Sequence, residues 1–246
     1  MKRATLLLVL LGVLLLAGCG GPAIPTVNPT MAASLRQDLV LSYPFDGNAD
    51  DGSGNGNNGR VYGAALTPDR FGHIDRAYHF DGEDYIVTRA EVPVSDTYSI
   101  SLWVRLDAGS AGTILYRGNM GSCWYDPYVT VAASSLTASV SGCEGSGRLG
   151  TVPISEGAWH HVVLVITAST QLVYLDGQEV VAANKVRAGT PVPLSIGATG
   201  LAEFFSGFEG AIDDVAVYAR PLSAAEIQAL YGEGGWSGED GTGGVP

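Results

Sequence analysis

The stretch YSISLWVRL at residues 98–106 alternates between two kinds of side chain. Ile100 and Leu102 fall on one side of an extended chain, and Ser101 and Trp103 fall on the other. A period of two is typical of a β-strand that buries one face in a core. The stretch therefore predicts a strand with its aliphatic side turned inward.

Runs of similar character recur along the chain, separated by Gly, Asp, Asn and Pro. They include LVLSYPF, DYIVT, GTILYRG, HHVVLVI and GAIDDVAVYA. In QLVYLDGQEV, the dipeptide Asp176-Gly177 predicts a two-residue hairpin turn with positive φ. About eleven short strands with no helices between them predict an all-β fold, an antiparallel sandwich of two sheets.

One helix is expected, close to the C-terminal end of this strand series. In PLSAAEIQALYG, Ser223 is placed as an N-cap and Glu226 follows three residues later, which is the capping-box spacing. Ile227 and Leu230 then form an apolar stripe. We predict a short helix that packs on the sandwich.

Both ends of the chain differ from the middle. Residues 1–18 begin with Lys2 and Arg3 and continue as an apolar run that is too short to span a membrane, which is typical of a secretory signal. Residues 19–37 carry three prolines and are predicted to be a tether. Residues 38–231 form the predicted domain, and 232–246, rich in glycine and acidic residues, are predicted to be a disordered tail.

The sequence LAGC at residues 16–19 resembles the lipobox of bacterial lipoproteins. The resemblance implies cleavage before Cys19 and lipidation of its sulfur, so that the membrane is a partner through this anchor. Gly20 follows the cysteine, a pattern that resembles outer-membrane lipoproteins in a Gram-negative host. The expected localisation is thus exported and lipid-anchored to the cell envelope.

Charge and cysteine content agree with export. The chain has 13 basic and 25 acidic residues, a net charge of −12, and such a surface repels nucleic acid. Cys123 and Cys143 remain as a pair once Cys19 is assigned to the anchor, and an oxidising compartment favours a disulfide between them. Two buried thiols or a metal-binding pair are the alternatives.

Seven segments in order resemble a known family. LSYPFDGNADDGSGNGNNG, AYHFDGEDYIVT, YSISLWVRL, GAWHHVVLVI, LVYLDGQEV, LSIGA and FEGAIDDVAVYARPLSAAEIQALY are similar to the laminin G-like, concanavalin A-like domains of bacterial extracellular proteins. The resemblance covers about residues 40–231 and implies a jelly-roll sandwich. It also implies one calcium ion in many members, and binding of glycans or proteins in place of catalysis.

The stretch ADDGSGNGNNGRVYG at residues 49–63 is the first half of the calcium prediction. Asp51, Ser53 and Asn55 fit the alternating spacing of a calcium loop. An EF-hand is excluded because Tyr62 stands where its bidentate Glu would be. Distant residues must therefore complete any site.

The resemblance implies where those residues are. It points to the turn that begins at Asp81 and to Asp213. Simple alternation in GAIDDVAVY puts Asp213 on the inward side with Val215, and an inward carboxylate is costly unless it is paired or binds a metal. The alternative is a solvated turn, with Asp213 bonded to backbone amides.

The aromatic segment YRGNMGSCWYDPY at residues 116–128 is the candidate ligand-binding loop. Aromatic faces beside hydrogen-bonding groups are suited to stacking on sugar rings. The candidates are Tyr116, Arg117, Trp124, Tyr125, Asp126 and Tyr128. The alternative is that these aromatic residues cover one end of the sandwich.

Catalysis has little support in the sequence. Glu209 and Asp213 do not present a carboxylate pair on a rigid strand as glycoside hydrolysis requires, and His160 and His161 match a structural Trp-His strand of the family. The prediction is a lipid-anchored, non-catalytic binding module for glycans or surface proteins with structural Ca²⁺. A polysaccharide hydrolase or lyase, and an adhesive protein without a small ligand, remain the alternatives.

Overall fold

The computed structural model describes residues 29–88, 92, 97–117, 126–141, 147–184, 193–198 and 207–232. The signal segment, Cys19, most of the tail and the loop residues Cys123, Trp124, Tyr125 and Cys143 lie outside these residues, so the predictions made for them stay predictions. None of the helices in the described ranges has the length and apolar character needed to cross a membrane.

The described chain forms fifteen strands and two helices, in agreement with the all-β prediction. The strands are β1 (Leu39–Tyr43), β2 (Gly59–Tyr62), β3 (Ala65–Thr67), β4 (Ala77–Asp81), β5 (Tyr85–Thr88), β6 (Tyr98–Leu106), β7 (Gly112–Arg117), β8 (Asp126–Ala132), β9 (Ser135–Ser141), β10 (Gly147–Pro153), β11 (Trp159–Ile166), β12 (Thr170–Leu175), β13 (Gln178–Asn184), β14 (Leu194–Ile196) and β15 (Glu209–Tyr218). The helices are α1 (Pro29–Arg36) and α2 (Ala224–Gly232).

The strands form two antiparallel sheets. The larger sheet has the order β13-β12-β11-β6-β15-β4-β3, and β1 also pairs with β15. The smaller sheet has the order β10-β9-β8-β7-β14-β5-β2. Strand β15 is central to the larger sheet because β6 lies along one side of it while β4 and β1 share the other.

The core lies between the two sheets and confirms the alternation of residues 98–106. Ile100 and Leu102 of β6 are almost fully buried in one cluster with Ile86 and Leu115 of the smaller sheet. The predicted hairpin turn is also confirmed, since Asp176 has a φ of 50°. The period-two pattern thus predicts correctly which face of β6 turns inward.

A β-bulge in β15 changes the side on which its residues lie. The register with β6 shifts between Asp213 and Ala216, and Asp214 has a φ of 46°. The extra residue resets the alternation, so Ile212 and Val215 both lie in the core. The prediction that Asp213 points into the sandwich is therefore wrong: it pairs in register with Trp103 on the outer face of the larger sheet.

The predicted C-terminal helix and its capping box are confirmed. The Ser223 hydroxyl accepts the backbone N–H of Glu226 at 3.3 Å, and the Glu226 carboxylate accepts the backbone N–H of Ser223 at 2.8 Å. Ile227 and Leu230 pack on Val163 of β11, on the outer face of the larger sheet. This helix covers part of that face.

Helix α1 occupies residues that were assigned to the tether. Leu35 is buried in the same cluster as α2, and the Arg220 guanidinium donates to the Ser34 carbonyl at 2.6 Å and to the Glu226 carboxylate at 2.7 Å. Burial raises the pKa of Glu226, but hydrogen bonds from Arg220, Ser34 and Ser223 outweigh it and lower that pKa to about 2. The tether prediction is wrong for residues 29–36, because eight residues with one buried leucine are too short to show a helical period.

Candidate functional site

The loop that was predicted to hold calcium binds the first strand. One oxygen of Asp51 accepts the backbone N–H groups of Ser42 and Ser53, and the other accepts that of Asn57, all within 3.0 Å. The Asn55 side chain donates to the Ser53 hydroxyl at 3.0 Å. The structure therefore brings Asp51, Ser53 and Asn55 together as predicted. The groups that hydrogen-bond to the Asp51 carboxylate are backbone N–H donors of the protein.

The more distant predicted ligands also have protein partners. Asp81 accepts the backbone N–H of Glu83 at 3.1 Å in the turn after β4. Asp213 is 2 % exposed and accepts from Arg70 at 3.0 Å. No group of three or more His, Cys, Asp or Glu side chains in the described ranges could hold a metal ion. In this arrangement the residues do not fit a shared calcium site, and Ca²⁺ stays a prediction.

Arg70 is the residue that accounts for the buried carboxylate. Its guanidinium lies between Asp213, at 3.0 Å, and Asp214, at 2.7 Å. Burial raises the pKa of both carboxyl groups, and for Asp213 the adjacent Asp214 raises it further, while Arg70 opposes both shifts. Sequence reasoning missed Arg70 because it lies 143 positions from Asp213.

Aromatic rings enclose this ion pair on the outer face of the larger sheet. The Arg70 guanidinium lies 4.5 Å from the ring centroid of Trp103, and Tyr231 of α2 stacks on the same indole at 5.8 Å. Burial lowers the pKa of His161 to about 3, and the Arg70 charge contributes, so the imidazole is neutral. The cavity beside Trp103 and His161 is only about 20 Å³, room for about one water.

The predicted ligand loop is described only at its two ends. Arg117 is 1 % exposed and lies over the ring of Tyr98 at 5.0 Å, so its prediction as a ligand contact is wrong. It pairs in register with Leu194, a core residue, because β7 turns alternate side chains inward. Only the backbone of Asp126 is described, at the start of β8.

Tyr116 and Tyr128 do lie on one face, as neighbours across β7 and β8. Tyr116 is 8 % exposed, and Tyr128 is half-buried. The register continues from Tyr116 through Ser195 and Val87 to Arg60. The two tyrosines therefore belong to a row that crosses the outer face of the smaller sheet.

A second group of aromatic residues on this face was not anticipated. Tyr62 and Tyr85 are paired in register, and their rings stack with centroids 4.4 Å apart and planes 18° apart. The Arg60 guanidinium lies 4.9 Å from the Tyr62 ring centroid. Arg60, Tyr62, Val87 and Thr88 line a surface depression of about 470 Å³. We call Arg60, Tyr62 and Tyr85 the tyrosine stack.

Alternation in the sequence contains the signal for the tyrosine stack. In GRVYG and DYIVT, the aliphatic residues Val61 and Ile86 alternate with Arg60, Tyr62 and Tyr85. Ile86 is fully buried, and Val61 packs against the core. What the sequence does not show is that β2 and β5 pair, which brings the two tyrosines together.

Three side chains near the β12–β13 turn form a hydrogen-bonded chain. His160 Nδ1 is 2.8 Å from the Asp176 carboxylate, and His160 Nε2 is 2.7 Å from the Ser155 hydroxyl. The second oxygen of Asp176 accepts the backbone N–H of His161 at 2.9 Å. With Nδ1 protonated against Asp176, Nε2 can accept the hydroxyl proton, which is the order of groups in a nucleophilic triad.

The fold and the sequence together define the class of the protein. The antiparallel sandwich of two large sheets has the architecture of the concanavalin A-like jelly roll. The family model of the concanavalin A-like lectin/glucanases superfamily, Laminin_G_3, matches residues 80–228, and the chain belongs to this family. A search of curated proteins found no significant match.

Solved structures with the same fold include carbohydrate-binding proteins. Domain 4 of AbnA, a GH43 extracellular arabinanase from Geobacillus stearothermophilus in complex with arabinotriose, superposes with a TM-score of 0.67 at 19 % identity, covering 79 % of this chain and 98 % of that domain. The botulinum neurotoxin serotype D ligand-binding domain, in complex with N-acetylneuraminic acid, superposes with a TM-score of 0.64 at 14 % identity, covering 82 % of this chain. This chain spans about half of the toxin domain, 52 % of its length. At these identities the likeness shows the fold alone.

The first prediction concerns Arg70. Arg70→Met leaves two buried carboxylates without their counter-ion, and we expect a loss of about 3–5 kcal/mol in the free energy of unfolding, measured with urea. The matched control is Arg76→Met, since the Arg76–Asp46 pair is 39 % exposed on both sides and should contribute about 1 kcal/mol or less. Adding Asp213→Asn and Asp214→Asn to Arg70→Met should restore part of the loss. Equal effects of Arg70→Met and Arg76→Met would contradict this role.

The second prediction tests the calcium ion. If Asp51 binds Ca²⁺, adding a chelator lowers the melting temperature of the wild-type protein, and Asp51→Ala abolishes the difference. If the amide contacts of Asp51 are its whole role, Asp51→Ala lowers the melting temperature equally with Ca²⁺ and with chelator. Thermal unfolding of both proteins in the two conditions decides between these outcomes.

Proposed function

We propose that the protein is a non-catalytic module that binds glycans through the outer face of its smaller sheet. The observation that carries the proposal is the tyrosine stack, in which Tyr62 and Arg60 border a surface depression and Tyr85 stacks on Tyr62. Tyr62 and Tyr85 are half-buried, so part of each ring is held by packing and part faces solvent. Sugar rings have apolar C–H faces that pack on such rings, while hydroxyl groups bond the polar rim.

The position of the stack on paired strands favours binding. Tyr62 and Tyr85 are adjacent across a strand pair whose inward residues, Val61 and Ile86, lie at the core. Side chains on such a framework lose little further freedom when a ligand binds, which lowers the entropic cost. The row from Tyr116 to Tyr128 extends the same face toward the predicted ligand loop.

The structural relatives support glycans as the ligand class. The arabinanase domain was solved with arabinotriose, and the serotype D domain with N-acetylneuraminic acid. A related domain, of botulinum neurotoxin DC, was solved with rat synaptotagmin II, so a protein ligand is the alternative. These ligands belong to those proteins, and the proposal for this chain depends on its own tyrosine stack.

The proposed setting is the cell envelope, with Cys19 as the lipid anchor. The described chain begins at α1, which packs with α2 on the outer face of the larger sheet. The tyrosine stack lies on the outer face of the other sheet. An anchor that enters at α1 would hold the domain by one side and leave the tyrosine stack on the opposite side.

The third prediction tests the binding face. A glycan array probed with the wild-type protein should give hits whose affinity is then measured by calorimetry. Tyr62→Ala and Tyr85→Ala should each weaken that binding about fivefold or more, since each removes a ring from the contact. Tyr231→Ala is the matched control, because Tyr231 is a partly exposed tyrosine of α2, which packs on the other sheet.

Two results would contradict the proposal. One is an array without hits, which would favour a protein ligand or an adhesive role. The other is a hit whose affinity falls no more in Tyr62→Ala and Tyr85→Ala than in Tyr231→Ala, which would place the binding site elsewhere.

The hydrogen-bonded arrangement of Ser155, His160 and Asp176 favours a second candidate function, ester hydrolysis. The Ser155 hydroxyl oxygen would add to the ester carbonyl as its proton passes to His160 Nε2, and the alcohol would leave with that proton. Water would then hydrolyse the acyl-serine. Against this candidate, Ser155 is exposed, and efficient acyl transfer uses a site that excludes water.

The fourth prediction separates the two functions. If the hydrogen bonds among Ser155, His160 and Asp176 are only structural, as the first candidate requires, a fluorophosphonate probe leaves Ser155 unmodified. The modification is measured on peptides by mass spectrometry. Modification of Ser155 that disappears in His160→Gln would support hydrolysis. Ser134→Ala is the control, because Ser134 is another hydroxyl of this region, bonded to Glu156 and not to a histidine.

A further inference from the structure

Arg60 differs from other described arginines in its electrostatic surroundings. Arg70, Arg76 and Arg220 each lie within 3.3 Å of an Asp or Glu oxygen. Arg60 is exposed, lies over the Tyr62 ring, and forms no ion pair with the carboxylates of the described chain. Arg105 also lies over an aromatic ring, but it is half-buried, whereas Arg60 is exposed and borders the surface depression.

The stacking arrangement suits Arg60 to the recognition of a carboxylate. A guanidinium that lies over a ring uses its face for that contact, and its N–H donors point outward from its edge. Those donors match the two oxygens of a carboxylate, and such charge-assisted bonds are stronger than neutral ones. The ring of Tyr62 contacts both the Arg60 guanidinium and the ring of Tyr85, so the cation and the rings form one unit.

The row of described residues that continues from Arg60 across this face carries no opposing charge. The described row that continues from Arg60 consists of Val87, Ser195, Tyr116 and Tyr128. None of these side chains is acidic, so an anion beside Arg60 does not meet a carboxylate from the row itself. The face is locally suited to a negative group although the whole chain has a net charge of −12.

We propose that the tyrosine stack selects carboxylate-bearing sugars, of the uronic or sialic acid type, over neutral ones. Arg60 takes the sugar carboxylate, and Tyr85 and the rim of Tyr62 contact the ring. This inference rests on the proposed glycan-binding function of the same face and adds the ligand class to it. The preference comes from one side chain, so it can be removed without removing the aromatic contact.

The experiment compares probes that differ only in their acidic group. Oligogalacturonate and sialyllactose are each measured against their neutral methyl esters, by calorimetry with the full-length protein. For at least one pair, we expect the wild-type protein to bind the acidic member about tenfold more tightly, as expected for a charge-assisted bond. The preference should decrease as salt is raised.

Variants assign the preference to Arg60. Arg60→Gln should reduce the tenfold preference to about one, while Arg60→Lys, which keeps the charge without the planar fork, should retain only part of it. The matched control is Arg105→Gln, because Arg105 also lies over an aromatic ring, that of Trp159 at 5.3 Å, but on the larger sheet. Arg105→Gln should retain the full preference.

The outcomes separate this inference from the proposed function. Equal binding of acidic and neutral probes, with loss of both in Tyr62→Ala, would overturn the inference and leave glycan binding intact. An acidic preference that persists in Arg60→Gln would also overturn it. Absence of binding to both acidic probes, together with an empty glycan array, would overturn the inference and the proposed function alike.

Discussion

The larger sheet depends on a buried ion pair at the bulge of its central strand. Strand β15 pairs with β6, β4 and β1, and the bulge at Asp213 and Asp214 places two carboxylates against Arg70, whose guanidinium lies over Trp103. Arg70, from the loop between β3 and β4, supplies the charge that makes this arrangement tolerable. The Arg70 guanidinium thus connects the β3–β4 loop with strand β15 and with the ring of Trp103, on which Tyr231 of α2 stacks.

The two outer faces of the sandwich differ in how far they are covered. On the larger sheet, α1 and α2 bury Val163 and Leu35 in a second apolar cluster, and Arg220 links the helices through Glu226. On the smaller sheet, the tyrosine stack remains partly exposed beside Arg60. One face is covered by two helices, and the other leaves two tyrosine rings and an arginine partly exposed.

Local signals in the sequence were enough for the architecture, because strand alternation and helix caps depend on neighbours a few residues apart. The strand at residues 98–106, the turn at Asp176 and the capping box at Ser223 are all of this kind. The position of Asp213 could not be predicted, since a bulge resets alternation and Arg70 is distant in sequence. The tyrosine stack likewise depends on which strands become neighbours, and no local pattern contains that information.

The docking of α1 beside α2 has a practical consequence. The described chain begins and ends on the outer side of the larger sheet, at Pro29 and near Gly232. A biotin or a fluorophore attached at Pro29 or at Gly232 would emerge from that side. Immobilisation through either of these two positions would therefore orient every molecule on a sensor chip or bead with the tyrosine stack turned toward the solution.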